Sequence, residues 1–384
     1  MKIVLVSFQN ARSDRNGVAC HIRDTLAVFT RKQKNISLVT PYEWNTLPDK
    51  FLRKLSKALF WLYEKTSWEL FFFYHLNSII LHLKNNCKRI ETEETIYHAH
   101  DIISLIALHR LKTHRKVIFT AHFLVEPWRE FSQANLLQVG GLYYKKIESM
   151  ARDSLLMPQL QIITVSERNR NLLAKMLPEK DIFSVVYLGL DLQWNSEHLE
   201  YSQPKQPYVL NVGKISNVKN QIALIPIAKH LKAQNRQVLF LLVGPIDTIE
   251  KSRIDSLIIQ EGVENYFQFA GTVNRDTTYY LMQHSLLYLH TAKMESFGMA
   301  IVEACGFSPP VLVFENDVIY EIFQEDREGI IAENFSATEK ADLLISYLDS
   351  TEKRVSLSDK QTVLFTSKYT IEKMYKSLVG IYEH

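Results

Sequence analysis

Short apolar runs alternate with amphipathic stretches along the whole chain of 384 residues. This alternation predicts parallel β-strands joined by crossover helices. The run at 238–243 contains only apolar residues, which is typical of a strand covered by helices on both faces. The candidate strands are residues 2–7, 35–40, 94–98, 115–119, 161–165 and 183–187 in the first half, and residues 207–212, 237–243, 266–270, 286–290, 310–314 and 328–331 in the second.

The two sets of strands predict two domains of an α/β protein. A chain of 384 residues is too long for one ordinary core, and the polar stretch 196–206, which contains Pro204, is the best linker. We predict two facing Rossmann-like, doubly wound domains at 1–195 and 196–367, with a C-terminal helix at about 368–384 that crosses back to the first domain. Open α/β sheets bind ligands at the carboxyl ends of their strands, so the cleft between the domains is the expected site.

Charge, cysteine content and hydropathy limit the class of protein. The net charge is only +3, which argues against a nucleic-acid-binding protein. Cys20, Cys87 and Cys305 show no ligand-like spacing and favour a reducing compartment. The apolar start of the chain is too short for a signal peptide and fits a buried strand. Since no stretch approaches the roughly 18 apolar residues of a membrane span, we predict a cytoplasmic protein.

The segment 286–304 carries the clearest chemistry and is predicted to form a strand, a short loop and a helix. Glu295 would precede the helix, Ser296 would be its N-cap, and Gly298 would let a ligand approach the backbone. The free N–H groups of the first turn would suit a diphosphate. Glu303 would lie about 12 Å along the axis, so the two carboxylates could contact opposite ends of an elongated ligand. Alternatively, Glu295 only favours the helix N-terminus and Glu303 is solvated.

This pattern of Glu-Ser-Phe-Gly, an apolar turn and Glu-Ala resembles the EX7E motif of retaining GT-B glycosyltransferases, particularly family 4 (glycosyl transferases group 1). The family's loop that binds the diphosphate of a nucleotide sugar resembles two segments here, Val212-Gly213-Lys214 and Val218-Lys219-Asn220. At the position of Lys214 the family usually has arginine. Phe269-Ala270-Gly271-Thr272-Val273 resembles the strand end that contacts the base. The donor-binding residues that the resemblance implies are Gly17, Gly213, Lys214, Lys219, Val273, Ser296, Phe297, Gly298, Met299, Ala300 and Glu303.

The first half contributes two histidine-bearing strand ends to the resemblance. Thr120-Ala121-His122 implies a catalytic role for His122, together with Glu295, in contact with the transferred sugar. His98-Ala99-His100 implies that His100 lies on the acceptor side, although a structural role is equally compatible with its position. Gly17 occupies the place of the glycine-rich loop after the first strand.

The sequence departs from the family pattern at three places. Asn16-Gly17 replaces a Gly pair, Ser308-Pro309-Pro310-Val311 replaces Gly-x-Pro-Val, and Asp317-Val318 stands where many members have Gly-Gly. Asp-x-Asp is absent from the sequence, and lysines with a helix N-terminus can neutralise a diphosphate, so we predict no metal and no other cofactor. Asp317 and Glu321 would be the ligands of the alternative, a magnesium-dependent reaction.

A basic, aromatic segment at 49–89 differs from its surroundings. Residues 49–83 contain five basic residues among large apolar and aromatic side chains, and Lys84, Lys88 and Arg89 follow. The apolar and aromatic side chains that we single out are Phe51, Leu52, Leu55, Leu59, Phe60, Trp61, Trp68, Phe71, Phe72, Phe73 and Tyr74. Such helices could rest on an anionic membrane surface. Alternatively, they cover the first sheet and form a roof over the acceptor site.

The resemblance implies a retaining hexosyltransferase that moves a sugar from a nucleotide sugar, with UDP-glucose as the expected donor. The expected acceptor is a glycan or a lipid-linked saccharide in bacterial polysaccharide or glycolipid assembly. The expected location is the cytoplasm, either free or at the inner face of the cell membrane. The same architecture also occurs in nucleotide-sugar epimerases and in glycan phosphorylases, which use pyridoxal phosphate. A catalytically silent GT-B partner subunit is a further alternative.

Overall fold

The computed structural model describes residues 1–10, 16–42, 46–180, 183–324 and 326–383. The chain forms two compact units. The N-terminal unit comprises Met1–Gly189 and the C-terminal segment from Ile371, and the C-terminal unit comprises Leu190–Thr370. The boundary predicted from the sequence lies a few residues later, between 195 and 196. The predicted linker at 196–206 therefore lies within the C-terminal unit.

The N-terminal unit is built on a parallel six-stranded sheet with the order β2-β1-β3-β4-β5-β6. Leu5 of the first strand lies opposite Leu38 on one side and His98 on the other. The strands are β1 Lys2–Val6, β2 Ile36–Val39, β3 Thr95–Ala99, β4 Val117–Ala121, β5 Leu160–Thr164 and β6 Phe183–Val185.

Successive residues of β1 belong to two different cores. Ile3 and Leu5 pack with residues of the first and the last helix of the chain, whereas Val4 and Val6 pack with the helices on the opposite face. Both faces are thus covered, which explains why the strand is apolar throughout. The helices between Met1 and Gly189 are α1 Gly17–Arg31, α2 Leu47–Thr66, α3 Glu69–Ile90, α4 Ile102–Leu111, α5 Arg129–Gln133, α6 Leu142–Leu155 and α7 Glu167–Met176.

The basic, aromatic segment forms the antiparallel helix pair α2 and α3. Thr46 and Asp49 make a capping box at the start of α2, and Arg89 near the end of α3 donates to Asp49 Oδ2 at 2.6 Å. Burial raises the pKa of Asp49, but the hydrogen bond from Arg89, which is the larger effect, holds it well below its usual range. This charge-assisted contact fixes the two helices at one end of the pair.

The two helices of this pair differ in exposure. Phe72, Leu76 and Leu83 of α3 are buried in the core on one face of the N-terminal sheet. Helix α3 therefore covers the sheet, as the second of the two alternatives in the sequence analysis expects. Helix α2 instead exposes Phe51 and Trp61, whose side chains are 67% and 56% accessible. None of the helices in the described parts of the chain combines the length and hydropathy that a membrane crossing requires.

The C-terminal unit is built on a second parallel six-stranded sheet, with the order β12-β11-β10-β7-β8-β9. Its strands are β7 Tyr208–Val212, β8 Leu239–Val243, β9 Phe267–Gly271, β10 Leu287–His290, β11 Val311–Phe314 and β12 Ile330–Ile331. All twelve strands predicted from the sequence thus coincide with strands of the two sheets, within two residues at most ends. The predicted α/β class with two doubly wound sheets is confirmed.

The helices of the C-terminal unit cover this sheet. They are α8 Leu224–Ala233, α9 Thr248–Glu261, α10 Arg275–Gln283, α11 Met299–Phe307, α12 Ile319–Phe323, α13 Ala337–Leu348 and α14 Thr351–Lys368, with 3₁₀ turns at Ser196–His198, Gln221–Ala223 and Glu264–Tyr266. The last helix, α15 Ile371–Glu383, packs against the N-terminal sheet through Met374, Leu378 and Tyr382.

Each sheet has a point at which the direction of winding reverses. In the N-terminal sheet it lies between β1 and β3, and in the C-terminal sheet between β7 and β10. The loops that follow two such strands leave the sheet in opposite directions and open a crevice at the carboxyl edge. The loops after β7 and β10 carry Lys214, Lys219 and Glu295, and the loop after β3 carries His100.

The structure corrects the predicted start of α11. The helix begins at Met299, and its N-cap is Gly298, which has a left-handed φ of 87° and makes no side-chain cap bond; Ser296 is not the cap. A Cβ at position 298 would lie 3.0 Å from Ile322 and 3.1 Å from Ile301. Because the left-handed residue interrupts the helical path, Glu295 and Glu303 do not share one helix, and the spacing of about 12 Å along an axis does not apply.

Candidate active site

Glu295 is the centre of a buried ionic network at the carboxyl edge of the C-terminal sheet. Its side chain is 10% exposed, and its Oε1 contacts both the Lys219 ammonium and His290 Nε2, the latter at 2.8 Å. Lys219 follows β7, whereas His290 is the last residue of β10. The network therefore joins the two loops that flank the reversal point of this sheet.

Backbone contacts fix the same two loops to each other. Thr291 donates from its hydroxyl to the carbonyl of Lys219 at 2.7 Å, and the backbone N–H of Lys293 donates to Val218 at 2.9 Å. Asn211 in β7 donates to Leu289 in β10 at 2.7 Å. Since these bonds do not involve Glu295, the loops are positioned independently of the charges that they present.

Gly213 and Gly244 set the path of the loop that carries both lysines. Gly244 has a φ of 146°, and a Cβ there would lie 2.2 Å from the carbonyl oxygen of Gly213. The side-chain methylenes of Lys219 lie 3.5 Å from the position of a Cβ on Gly213. Glycine at both positions lets the backbone turn closely past the strand end. Lys214, on the same loop, is 58% exposed and lies 4.0 Å from Asp247.

The electrostatics of the network keep Glu295 ionised. Burial by itself raises the pKa of Glu295, but the hydrogen bond from His290 and the charge of Lys219 outweigh it and lower the pKa to about 2. Burial lowers the pKa of His290, so its ring is neutral. Because the ionised Glu295 carboxylate can only accept, His290 Nε2 carries the ring proton and donates to it, and the other ring nitrogen, Nδ1, lies 3.2 Å from the Tyr288 hydroxyl. The arrangement presents one fixed carboxylate beside one cation.

Glu303 lies in a separate network on the first turns of α11. The Tyr279 hydroxyl donates to Glu303 Oε1 at 3.0 Å, and Arg275 Nε donates to the Tyr279 hydroxyl at 2.6 Å. Arg275 also donates to the backbone carbonyl of Asp191 at 3.3 Å. The chain Arg275–Tyr279–Glu303 thus holds a second carboxylate, 9% exposed, in one orientation.

The remaining donor-side positions differ in exposure. Phe297 is buried, with its ring 5.8 Å from that of Tyr369, so its side chain belongs to the core. Val273 is also buried, whereas Ser296, Met299 and Ala300 are half-buried around the start of α11. The backbone N–H groups of this first turn remain the predicted anion site.

The N-terminal unit assembles a cluster of histidines at its own carboxyl edge. His100 follows β3 and His122 follows β4, and His100 Nδ1 lies 3.4 Å from His122 Nε2. His21 of α1 packs on both rings, at centroid distances of 5.3 and 5.2 Å. The His98 ring is tilted by 32° against that of His100, with a centroid distance of 4.3 Å, and the Tyr382 and Thr120 hydroxyls each hold a His98 nitrogen at 2.6 Å.

Burial determines the charge of this cluster. It lowers the pKa of His21 to about 4 and that of His98 to about 3, and it moves the pKa values of His100 and His122 well below the ordinary value. The four rings are therefore neutral at pH 7. Three of them, His21, His100 and His122, offer ligand atoms that all lie within 4.8 Å of one another. The sequence alone does not indicate that these three rings, which are far apart along the chain, come together.

A comparison with protein families supports the resemblance noted in the sequence. Residues 196–362 match the family model described as Glycosyl transferases group 1. The alpha-D-kanosaminyltransferase of Streptomyces kanamyceticus is 22% identical over 232 residues, which are 58% of this chain and 59% of that protein. The 2-deoxystreptamine N-acetyl-D-glucosaminyltransferase of Niallia circulans is 22% identical over 176 residues, 45% and 44% of the two chains. The matched stretches thus span only part of each relative.

Solved structures match almost the whole chain. Anabaena Alr3699/HepE in complex with UDP-glucose superimposes with a TM-score of 0.69 at 14% identity, covering 99% of both chains. Sucrose-phosphate synthase of Thermosynechococcus elongatus gives a TM-score of 0.74 at 14% identity, covering 100% of this chain and 98% of the other. The fold is GT-B.

The structure brings some predicted site residues together and adds others. Lys219 and Glu295 are in contact, and so are His100 and His122, whereas Glu303 forms its own network. Sequence reasoning missed His290, although it ends a strand at the carboxyl edge, the same signal that singled out His100 and His122. Arg275, Tyr279 and His21 were also missed. Each of these lies on a helix and is brought to its partners only by the tertiary fold.

Replacing Glu295 with glutamine should lower the free energy of unfolding by about 2–3 kcal/mol at neutral pH, because Lys219 loses its buried partner. The folded-state pKa of about 2 lies below the ordinary 4.5, so ionised Glu295 contributes stability that is fully present above pH 4.5 and lost as the pH falls toward 2. Urea unfolding of both proteins should therefore show a constant gap between about pH 5 and 7 that shrinks at about pH 3.

Glu261→Gln is the matched control, since Glu261 pairs with Lys229 at the surface and should change stability by less than about 1 kcal/mol. A gap between the wild type and Glu295→Gln that stays constant down to about pH 3 would contradict the ionised, stabilising carboxylate.

Proposed function

We propose that this protein is a retaining glycosyltransferase that moves a hexose from a nucleotide sugar to a glycan or lipid-linked acceptor. The observation that carries the proposal is the Lys219–Glu295–His290 network at the reversal point of the C-terminal sheet. The expected donor is UDP-glucose, in line with the UDP-glucose complex of the Anabaena protein. The expected setting is bacterial polysaccharide or glycolipid assembly, at the cytoplasmic face of the membrane.

Lys219 is suited to the diphosphate because it is held beside the donor crevice and only partly exposed. Its ammonium already contacts Glu295, and a diphosphate would be a second anion within reach of its three N–H donors. Lys214 on the same loop and the N-terminus of α11 add positive potential. Negative charge develops on the leaving diphosphate as the glycosidic bond breaks, so these groups stabilise the transition state more than the ground state.

Glu295 and Glu303 are suited to two different parts of the donor. Hydrogen bonds and an ion pair fix the side-chain conformation of both carboxylates. Glu295 contacts His290 and Lys219, and Glu303 accepts from the Tyr279 hydroxyl. An ionised carboxylate accepts hydrogen bonds from sugar hydroxyls. We assign the transferred hexose to Glu295, which lies beside the lysine, and the nucleotide ribose to Glu303.

His122 is the proposed catalytic group of the N-terminal unit. Its ring is neutral because burial lowers its pKa, so it adds no positive charge next to an oxocarbenium-like transition state. A neutral imidazole can donate one hydrogen bond to the transferred sugar and accept another from it. A nearby backbone carbonyl can stabilise the positive charge that develops on the sugar. We propose front-face displacement in which the leaving phosphate takes the acceptor proton. The two lysines neutralise the leaving group, so we propose that the reaction requires no metal.

The reaction itself is tested with radiolabelled UDP-glucose and candidate glycan and lipid-linked acceptors, before and after EDTA treatment. Label should move to an acceptor with the anomeric configuration retained, as read by NMR of the product. The initial rate should not fall after EDTA, and magnesium or manganese should not raise it, because Lys214 and Lys219 supply the positive charge.

Three outcomes of this assay would contradict the proposal. Conversion of the sugar without an acceptor would identify an epimerase. Donor binding with no turnover over a full acceptor panel would identify a silent subunit. Loss of activity on chelation with recovery on add-back would show a metal-dependent reaction and move Asp317 and Glu321 into the site.

We also propose that the exposed face of α2 contacts an anionic membrane surface. Phe51 and Trp61 lie on this face, and the lysines at 50, 54 and 57 flank them, so apolar insertion and electrostatic attraction act together. This placement would hold the protein near a lipid-linked acceptor.

Cosedimentation with vesicles tests the membrane contact. The wild type should bind vesicles of phosphatidylglycerol and phosphatidylcholine, release them as salt rises, and bind weakly to phosphatidylcholine alone. Phe51→Ser combined with Trp61→Ser should reduce binding about tenfold or more, because two inserted aromatic side chains are lost. Val363→Ser, at a position on α14 that is also 67% exposed, is the matched control and should bind as the wild type does. Equal binding of the double variant would exclude α2 as the contact.

A further inference from the structure

The histidine cluster of the N-terminal unit joins three separate elements of the fold. His21 lies on α1, His100 follows β3 and His122 follows β4, and β1, β3 and β4 are neighbours in the sheet. Parallel strands place the residues after their carboxyl ends at one edge, and α1, which follows β1, begins at that edge and carries His21 near its start. Three imidazole nitrogens thereby come within 4.8 Å of one another.

Several nitrogens of this cluster have no hydrogen-bond partner among the described residues. These atoms are Nδ1 and Nε2 of His21 and Nε2 of His100. His21 is 3% exposed and His100 is 1% exposed, so water does not satisfy them freely. Leaving a buried polar nitrogen without a partner costs about 1–3 kcal/mol. The neighbouring His98 shows the contrast, since the Tyr382 and Thr120 hydroxyls occupy both of its ring nitrogens.

We propose that His21, His100 and His122 form a binding site for a divalent transition-metal ion of the zinc type. Neutral imidazole is a preferred ligand of Zn²⁺ and Co²⁺, whereas Mg²⁺ prefers oxygen ligands, which this set lacks. Three histidines with a fourth, open position form an established type of zinc site.

The geometry fits such an ion with little movement. Bonds of about 2.0–2.1 Å in tetrahedral arrangement put two ligand nitrogens about 3.3 Å apart. His100 Nδ1 and His122 Nε2 are already 3.4 Å apart, so His100 would bind the ion through Nδ1 and keep its ring proton on Nε2, and the ion would supply a partner to His21. The widest separation in the set, at most 4.8 Å, must shorten by about 1.5 Å, which a rotation of the His21 ring about its χ angles can supply. His122 is half-buried, so solvent reaches the cluster at this ring.

Metal binding would compete with the proposed role of His122. An ion that takes the lone pair of His122 prevents this ring from contacting the transferred sugar, so the bound ion inhibits transfer. This consequence rests on the proposed function, whereas the binding site itself does not. In this proposal the transfer reaction itself uses no metal, and zinc bound at the histidine cluster inhibits it.

The test uses the full chain after chelator treatment and dialysis, without donor or acceptor. Zn²⁺ is titrated in competition with a chromophoric chelator, and Co²⁺ is titrated while the visible absorption of a four-coordinate site is recorded. The wild type should bind one ion per chain and melt at a higher temperature with Zn²⁺, and Mg²⁺ should give no shift. His21→Gln should weaken zinc binding at least about tenfold, and His284→Gln, at an exposed histidine on the C-terminal unit, should bind as the wild type does.

His100→Gln is the second variant and should lose the same affinity if His21→Gln fails to fold. The site is overturned if the chelator-treated wild type binds no stoichiometric zinc, or if a folded His21→Gln or His100→Gln variant binds it as tightly as the wild type. In the transfer assay, zinc should lower the rate of the wild type and leave His21→Gln much less affected. Equal inhibition of the two proteins would overturn the inhibitory role while leaving the binding result intact.

Discussion

Glu295 carries a negative charge on a side chain that is only 10% exposed, and Lys219 and His290 compensate for its loss of hydration. The rest of the proposed donor site follows from this contact. It keeps the carboxylate ionised, since the pKa falls to about 2, and it holds the lysine at the crevice instead of letting it extend into solvent. Removing any partner leaves a buried charge or a buried donor unsatisfied, so the three side chains act as one unit.

In both units the candidate site lies where the winding of the sheet reverses, but the side chains at the two sites differ in charge. The reversal between β7 and β10 presents lysines and carboxylates, which suit a diphosphate and sugar hydroxyls. The reversal between β1 and β3 presents neutral imidazoles. Burial removes the positive charge of the histidines, whereas ionic contacts preserve the charges of Lys219 and Glu295. Both sites lie at a reversal point of a parallel sheet, so burial and pairing, and not this position, make one site charged and the other uncharged.

The sequence was informative where the signal is local. The apolar run that became β8 could be assigned because both of its faces are covered, and Glu295 and Glu303 could be found because they belong to one contiguous motif. The start of α11 could not, because a left-handed Gly298 overrides the helical pattern around it. The histidine cluster could not either: its members are spread from position 21 to position 122, and only the order of strands in the sheet brings them together.

The central claim is that Glu303 recognises the nucleotide and Glu295 the transferred sugar. Isothermal titration of free UDP against Glu303→Gln and Glu295→Gln, with the transfer rate of each variant, tests it most directly. We expect Glu303→Gln to bind UDP about tenfold more weakly or worse, since it loses a charge-assisted contact of about 1.5–3 kcal/mol. Glu295→Gln should bind UDP as tightly as the wild type or more tightly, because Lys219 is released toward the diphosphate, yet it should transfer poorly. Weakened UDP binding by Glu295→Gln with unchanged binding by Glu303→Gln would contradict the assignment.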